Sequence, residues 1–378
     1  MFVFHSSAQF AIVVAYGLTF VDADGQLKER RVSHVAWAAL AVIAAVVFTA
    51  FVAFSLVCID APPPDLSIFA QADVPRPNPE NNAFLDFMAA VKELPEGTIP
   101  TNIAPWDADA LLKKHGKVFE HMHRAAGKTE WFNPEWESSS LANGERDWDM
   151  PARACRQTIV MMWLKSRREF EKGNCQEAVS TIADLFALSS LLRDNARQKQ
   201  SWYMGAVAQR MAIDSAKYLL HLPDLPRRDM DDLKAVVEKH GKEWYESVPR
   251  ILTAETAYYA GRIANCRASE LGCTYISFLP EQFQFQPNRT KALLVDWLTR
   301  ALSVCGTNYE ELAWGKFDEE LEAETKQAFL EKKAVRNHIG RLEVAMVEAM
   351  SYSGTAKNAS QFDLEMEELI ARFPKIRR

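Results

Sequence analysis

The sequence predicts an all-α protein: one N-terminal transmembrane helix followed by a helical-bundle or helical-hairpin region. Three observations predict it. From Val35 to Ile59 the chain carries no Asp, Glu, Lys or Arg, and at 1.5 Å per residue a helix of that length covers the roughly 30 Å hydrocarbon core of a bilayer with some tilt. Glycine (15) and proline (17) are sparse among 378 residues, while Ala, Leu, Glu, Lys and Met abound, a composition that favours helix by intrinsic propensity. Beyond residue 80, apolar side chains recur at helical intervals in consecutive segments with short connections, the pattern of packed antiparallel helices.

The uncharged span fixes a topology. Lys28, Arg30 and Arg31 precede it, and Asp60, Asp65 and Asp73 follow it before the first base, Arg76. Basic flanks stay on the cytoplasmic side, so residues 1–34 are expected to be a short cytoplasmic segment and residues 35–59 the membrane helix. The bulk would then be extracytoplasmic, in the periplasm if the cell has two membranes, with the span in the inner, cytoplasmic membrane. Asp60 and Pro62-Pro63-Pro64 end the span. Its apolar core is too long, and preceded by too many residues, for a cleaved signal peptide. Cys58 departs from the lipoprotein pattern because Val57 stands where a small residue belongs. Phe10 to Val21 reads as a strand, a short membrane-seeking segment or upstream sequence, and none of these alters the orientation. Ala41, Ala45, Thr49 and Ala53, four residues apart, form a small-residue ridge suited to a homodimer contact or to nothing more than alanine richness.

Residues 60–80, rich in proline, read as an extended stalk. An N-terminal helical subdomain with a tryptophan and acidic loop is expected over 81–150 and the main α-helical domain over 151–378. Asn82 is a candidate N-cap for a helix carrying Phe84, Phe87, Met88 and Val91 and ended by Pro95. One helix is expected from Trp106 or Asp107 to about Ala126, then a loop over 127–150. Helices follow at Pro151–Glu171, about Cys175–Arg193 and about Gln198–Leu222, the first two joined by a tight turn at Gly173-Asn174. Asp229 to about Ser247 and Arg250 to Ser269 read as two more, divided near Pro249. After an irregular aromatic stretch over 270–288, Asn288 is expected to cap a helix from Arg289 to Val304. Tyr309 to about Met350 and Gln361 to Phe373 complete the chain.

The hairpin at Gly173-Asn174, with Glu177 and Ala178, resembles one helical hairpin of tetratricopeptide-type repeats, although no second copy is evident. Together, the span, Pro62-Pro63-Pro64-Asp65, Glu80-Asn81-Asn82-Ala83-Phe84, the Gly173 hairpin and Asn337, Gly340 and Arg341 look like a group of uncharacterised single-span bacterial envelope proteins. That resemblance implies the architecture and no activity.

A net charge of −6 and a pI near 5.8 give no cationic field for phosphates, which excludes broad-face nucleic-acid binding. His115, Glu120, His121 and His123 are the densest group of metal-ligand types, but residues two apart on a helix diverge, so no metal site is assigned. Trp131, Trp136 and Trp148 lie among Glu130, Glu135, Glu137, Glu145, Asp147 and Asp149. Carboxylates beside aromatic platforms suit glycan binding or hydrolysis, and equally a solvated acidic loop, since nothing fixes their separation. No Gly-x-Ser-x-Gly turn or phosphate loop occurs. Of five cysteines outside the span, Cys155, Cys175, Cys266, Cys273 and Cys305, the pair Cys266–Cys273 is close enough in sequence to bridge; the alternative is five small buried residues. No catalytic, cofactor or metal residue is therefore assigned. The leading expectation is an interaction or scaffold protein of the cell envelope, ahead of a glycan-directed protein using the loop over 130–149 and a ligand sensor, for which the segment before the span is too short.

Overall fold

The computed structural model describes residues 19–21, 27–29, 34–72, 78–95, 97, 99, 103–132, 149–196, 199–221, 225–240, 244–265, 282, 285–306, 308–329 and 352–373, and the chain divides into two units, Met1–Ile59 and Asp60–Arg378. In the first, β1 (Thr19–Val21) and β2 (Leu27–Glu29) form an antiparallel ribbon that pairs Thr19 with Glu29 and Val21 with Leu27. The ribbon is a small exception to the all-α expectation. Helix α1 (His34–Cys58, 25 residues) reproduces the uncharged span to within one residue at each end. Val46, Val47, Phe48 and Leu56 are each about 60% exposed or more, and Ala41, Ala45, Thr49 and Ala53 are exposed with them. Among the described residues no helix is long and apolar enough to cross a membrane. The described side chains of α1 are those of 41–56 and 58, fewer than the roughly 20 residues a crossing takes.

Among the described residues the second unit is helical apart from its connections and a single parallel bridge between Asn82 and Glu130. Residues 60–72 are not a free extended stalk, because Ser67–Ala72 form a 3-10 turn whose Ile68 and Phe69 pack on the core. Helix α2 (Ala83–Lys92) begins at the expected cap: Asn82 Oδ1 accepts the Phe84 N–H at 3.1 Å. The same side chain is buried and serves the chain 50 residues on, accepting the Phe132 N–H at 3.0 Å and donating Nδ2 to the Phe132 carbonyl at 2.9 Å. Trp131 is thereby held edge-on to Phe84 and Phe87, with ring centroids 5.6 and 5.4 Å away.

The single helix expected over 106–126 is two, α3 (Pro105–Lys114) and α4 (Gly116–Ala126). His115 interrupts them because its Nδ1 is bound to the Glu93 carbonyl at 2.7 Å, while its backbone leaves the helical region.

Helices α5 (Asp149–Glu171), α6 (Cys175–Asn195) and α7 (Lys199–Leu220) are the centre of the fold. Gly173, at φ +83°, turns α5 into α6. Its N–H reaches the Phe170 carbonyl and that of Asn174 the Glu169 carbonyl, each at 2.8 Å, the paired bonds of a Schellman ending. Ala178 is fully buried at the turn's far side. Between α6 and α7 the contact is closer still: a Cβ on Gly205 would stand 2.8 Å from Leu192 Cβ and 3.2 Å from the Ser189 carbonyl. Ser189 Oγ donates to Gln209 Oε1 at 2.6 Å across the same interface.

Helices α8 (Arg227–His240), α9 (Val248–Asn265), α10 (Pro287–Val304), α11 (Glu311–Phe329) and α12 (Tyr352–Arg372) complete the described chain. The helix expected to run to Ser247 stops at His240, and a 3-10 turn, Tyr245–Ser247, leads directly into α9. Pro249 lies in the first turn of α9 rather than between helices, where its missing N–H costs nothing. Helix α12 starts nine residues before the expected Gln361; its buried face there is Tyr352, Thr355, Ala356 and Ala359, and the last three are small residues that weigh little in an apolar pattern. Asn288 does not cap α10. That role falls to Asp60.

Candidate functional site

Among the described residues, charged side chains withdrawn from solvent gather at the α6–α7 turn. Arg193, 5% exposed, binds Asp194 through two bonds of 2.7 and 3.0 Å. Lys199, also 5% exposed, opens α7, and its backbone N–H donates to Glu255 Oε2 at 2.8 Å. Arg250 donates to the carbonyls of Arg193 and Ala196.

Arg250 and Glu255 both belong to α9. One places a cation on the unmatched carbonyls that end α6, and the other places a carboxylate on the first N–H of α7. Each thus meets the sign of the helix terminus it faces. Burial pulls the Lys199 ammonium down to about 8, an effect partly offset by Glu255. It pushes the Glu255 carboxyl up against the opposing pull of the Lys199 N–H, the Lys199 charge and a Tyr259 hydrogen bond. Arg250 is likewise lowered by burial, against the pull of Asp194.

Beside this junction the fold brings together Ser190 and His240, 50 residues apart, with Oγ to Nδ1 at 3.1 Å. Burial first, then the charges of Lys239 and Arg193, hold the imidazole below its ordinary range. A hydroxyl against a neutral imidazole is the beginning of a nucleophile. Ser190, however, lies inside α6, where the neighbouring N–H groups are engaged in the helix ladder and present no oxyanion donors. The arrangement is a hydrogen-bonded junction of helices, and its geometry offers no acyl-transfer chemistry.

A second capping carboxylate repeats the device. Asp363 of α12 takes the N–H groups of Trp244 at 3.0 Å and Tyr245 at 2.9 Å, fixing the turn before α9. Around it stand Trp202, Trp244 and Phe362, with centroids 5.1 and 5.2 Å apart in sequence of contact. Trp202 Nε1 donates to Ser247 Oγ at 2.9 Å.

His121 goes to Arg124, His123 Nδ1 to Asp184 at 3.0 Å and His115 to the Glu93 carbonyl, so the three point to separate partners. Among the described residues no group of three His, Cys, Asp or Glu side chains could hold a metal ion. Of the tryptophan and acidic loop, Glu130 and Trp131 are described, and Asp149 by its place in α5. Trp131 lies in the core and offers no platform to a sugar. Glu135, Trp136, Glu137, Glu145, Asp147 and Trp148 lie outside the described residues, as do Cys266, Cys273, Asn337, Gly340 and Arg341. Cys155, Cys175 and Cys305 are unbridged, and burial pushes the thiols of Cys155 and Cys305 up to about 12, far from a reactive thiolate.

Comparison of this chain with protein-family models, with curated proteins and with solved structures found no match.

Sequence reasoning missed the whole junction. Its only advance signals were Arg193, Lys199, Arg250 and Glu255 standing among apolar residues in predicted helices, and charged residues at such positions are ordinarily surface groups.

Proposed function

We propose that this protein is a single-pass anchor of the cytoplasmic membrane that holds an all-α interaction or scaffold domain on the extracytoplasmic side. The observation that carries the reading is α1. Along its described length it leaves large apolar side chains exposed, Val42, Ile43, Val46, Val47 and Phe48 among them, a contiguous surface that a water-exposed helix seldom tolerates. The sequence extends the same character over all of residues 35–59, and lipid is the solvent such a surface suits.

The distribution of bases before the helix and acids after it supports the orientation, with the N-terminus in the cytoplasm. The second unit supports the scaffold role. It is built of helical hairpins, whose ridges and grooves suit partner peptides, and its buried charges and its serine–histidine pair are organised for packing. The likeness to uncharacterised single-span bacterial envelope proteins belongs to the same reading, as does a homodimer contact along Ala41, Ala45, Thr49 and Ala53.

Paired fusions at Arg378 test the orientation. A reporter active only outside the cytoplasm should be active, and one that matures only inside should be silent; the reverse pattern would overturn the assignment. Crosslinking in intact cells should return the same envelope proteins repeatedly, and a survey without any specific partner would count against a scaffold.

A further inference from the structure

The chain just after α1 is bonded into the helical body. Asp60 Oδ2 accepts the Asn288 N–H at 2.7 Å, and Oδ1 accepts those of Arg289 at 3.2 Å and Ala61 at 2.7 Å. Asn288 Nδ2 returns a bond to the Ala61 carbonyl at 2.9 Å. Eight and nine residues on from Asp60, Ile68 packs on the larger apolar cluster and Phe69 on both. A carboxylate on the first N–H groups of α10 also satisfies a helix terminus that has no side-chain cap of its own. Residue 60 is therefore fixed in the unit Asp60–Arg378, one peptide bond from the last residue of the uncharged run.

Resting on the membrane reading of α1, we infer that the phospholipid headgroup layer is the partner of one particular face of the body, formed by residues 60–68 and the first turn of α10. Ile59 ends the apolar run, so it lies at the edge of the hydrocarbon. Consecutive Cα atoms are 3.80 Å apart, and the headgroup region on each side of the core is only about 5–8 Å deep. A residue bonded to Asp60 or next to it cannot stand clear of that layer.

The face has the chemistry for it. Pro62, Pro63 and Pro64 lack the N–H groups that would need acceptors there, Leu66 is 38% exposed, and Arg289 and Lys291 are half-buried cations within reach of phosphate. Of the two carboxylates on this face, Asp60 has its oxygens occupied by N–H donors, and Asp65, which is exposed, accepts the Ser67 N–H at 2.8 Å through Oδ1.

The test uses full-length protein in phosphatidylcholine vesicles that include a phosphatidylcholine probe with a photoactivatable diazirine on the headgroup. After an alkaline carbonate wash, crosslinked peptides are mapped by mass spectrometry. Crosslinks should concentrate on residues 60–68 and 287–293. They should be lost from 287–293 when a flexible Gly-Ser segment of about 20 residues, with a span of roughly 25 Å, is inserted between Ile59 and Asp60. Carbonate-resistant protein whose headgroup crosslinks fall elsewhere on the body, or persist on 287–293 after the insertion, overturns the inference and leaves the membrane reading standing. Release by carbonate overturns both.

Discussion

Asn82 shows how much one amide can carry. Its three side-chain bonds start α2 and hold the strand-like stretch that carries Trp131. Replacing it with alanine removes the cap of α2 and both side-chain bonds to the Phe132 backbone, so Asn82→Ala should lower stability by about 2–3 kcal/mol; thermal or urea unfolding monitored by tryptophan fluorescence measures it. The N-cap was legible in the sequence because it acts two residues away. The clasp on Phe132 was not, because its partner is 50 residues away.

Lys199 gives a pH signature. With its pKa drawn down to about 8 by burial, the folded chain sheds this proton before the unfolded one does. The cost of burying the charge is fully present below pH 8. As pH rises from 8 to 10.5 the unfolded chain binds more protons, so this residue contributes stability that increases with pH. Lys199→Met removes the titrating group, and the variant should lack an increment on the order of 2 kcal/mol that the native protein gains across that window. Parallel pH dependences in the two proteins would show that Lys199 is not desolvated as described.

Among the elements, α6 and α7 approach closely at Gly205, and two glycines separate the cause from helix propensity. Gly205→Ala forces a Cβ against Leu192 and the Ser189 carbonyl and should destabilise by about 1–2 kcal/mol. Gly261→Ala, on α9 with no described atom beyond its own stretch of helix within 4 Å of the added carbon, should instead stabilise by roughly 0.5–1 kcal/mol. Equal effects on the melting temperature would refute the close approach.

Element type and order were readable from apolar period, and the Gly173 turn from its glycine. The boundaries that differed have one physical origin. The break at His115, the turn into α9 and the cap of α10 are set by Glu93, Asp363 and Asp60, partners 22 to 228 residues distant that no local pattern encodes. The buried ionic junction is hidden for the same reason, since Arg250 and Glu255 act on the ends of other helices.

At three places among the described residues of the second unit a distant carboxylate meets the start of a helix or turn: Glu255 on α7, Asp363 on the turn into α9 and Asp60 on α10. Each satisfies terminal N–H groups that would otherwise need water or a local cap. The last of them is the residue that follows the uncharged run in sequence. Function in this account depends on the proposed anchor: a helical scaffold has its place in the envelope only if residues 35–59 reside in lipid. The most direct measurement is alkaline carbonate extraction of membranes from cells that produce the full-length chain. The protein should remain in the membrane pellet and be released only by detergent. Its recovery in the carbonate supernatant, or in the soluble fraction before extraction, would contradict the account.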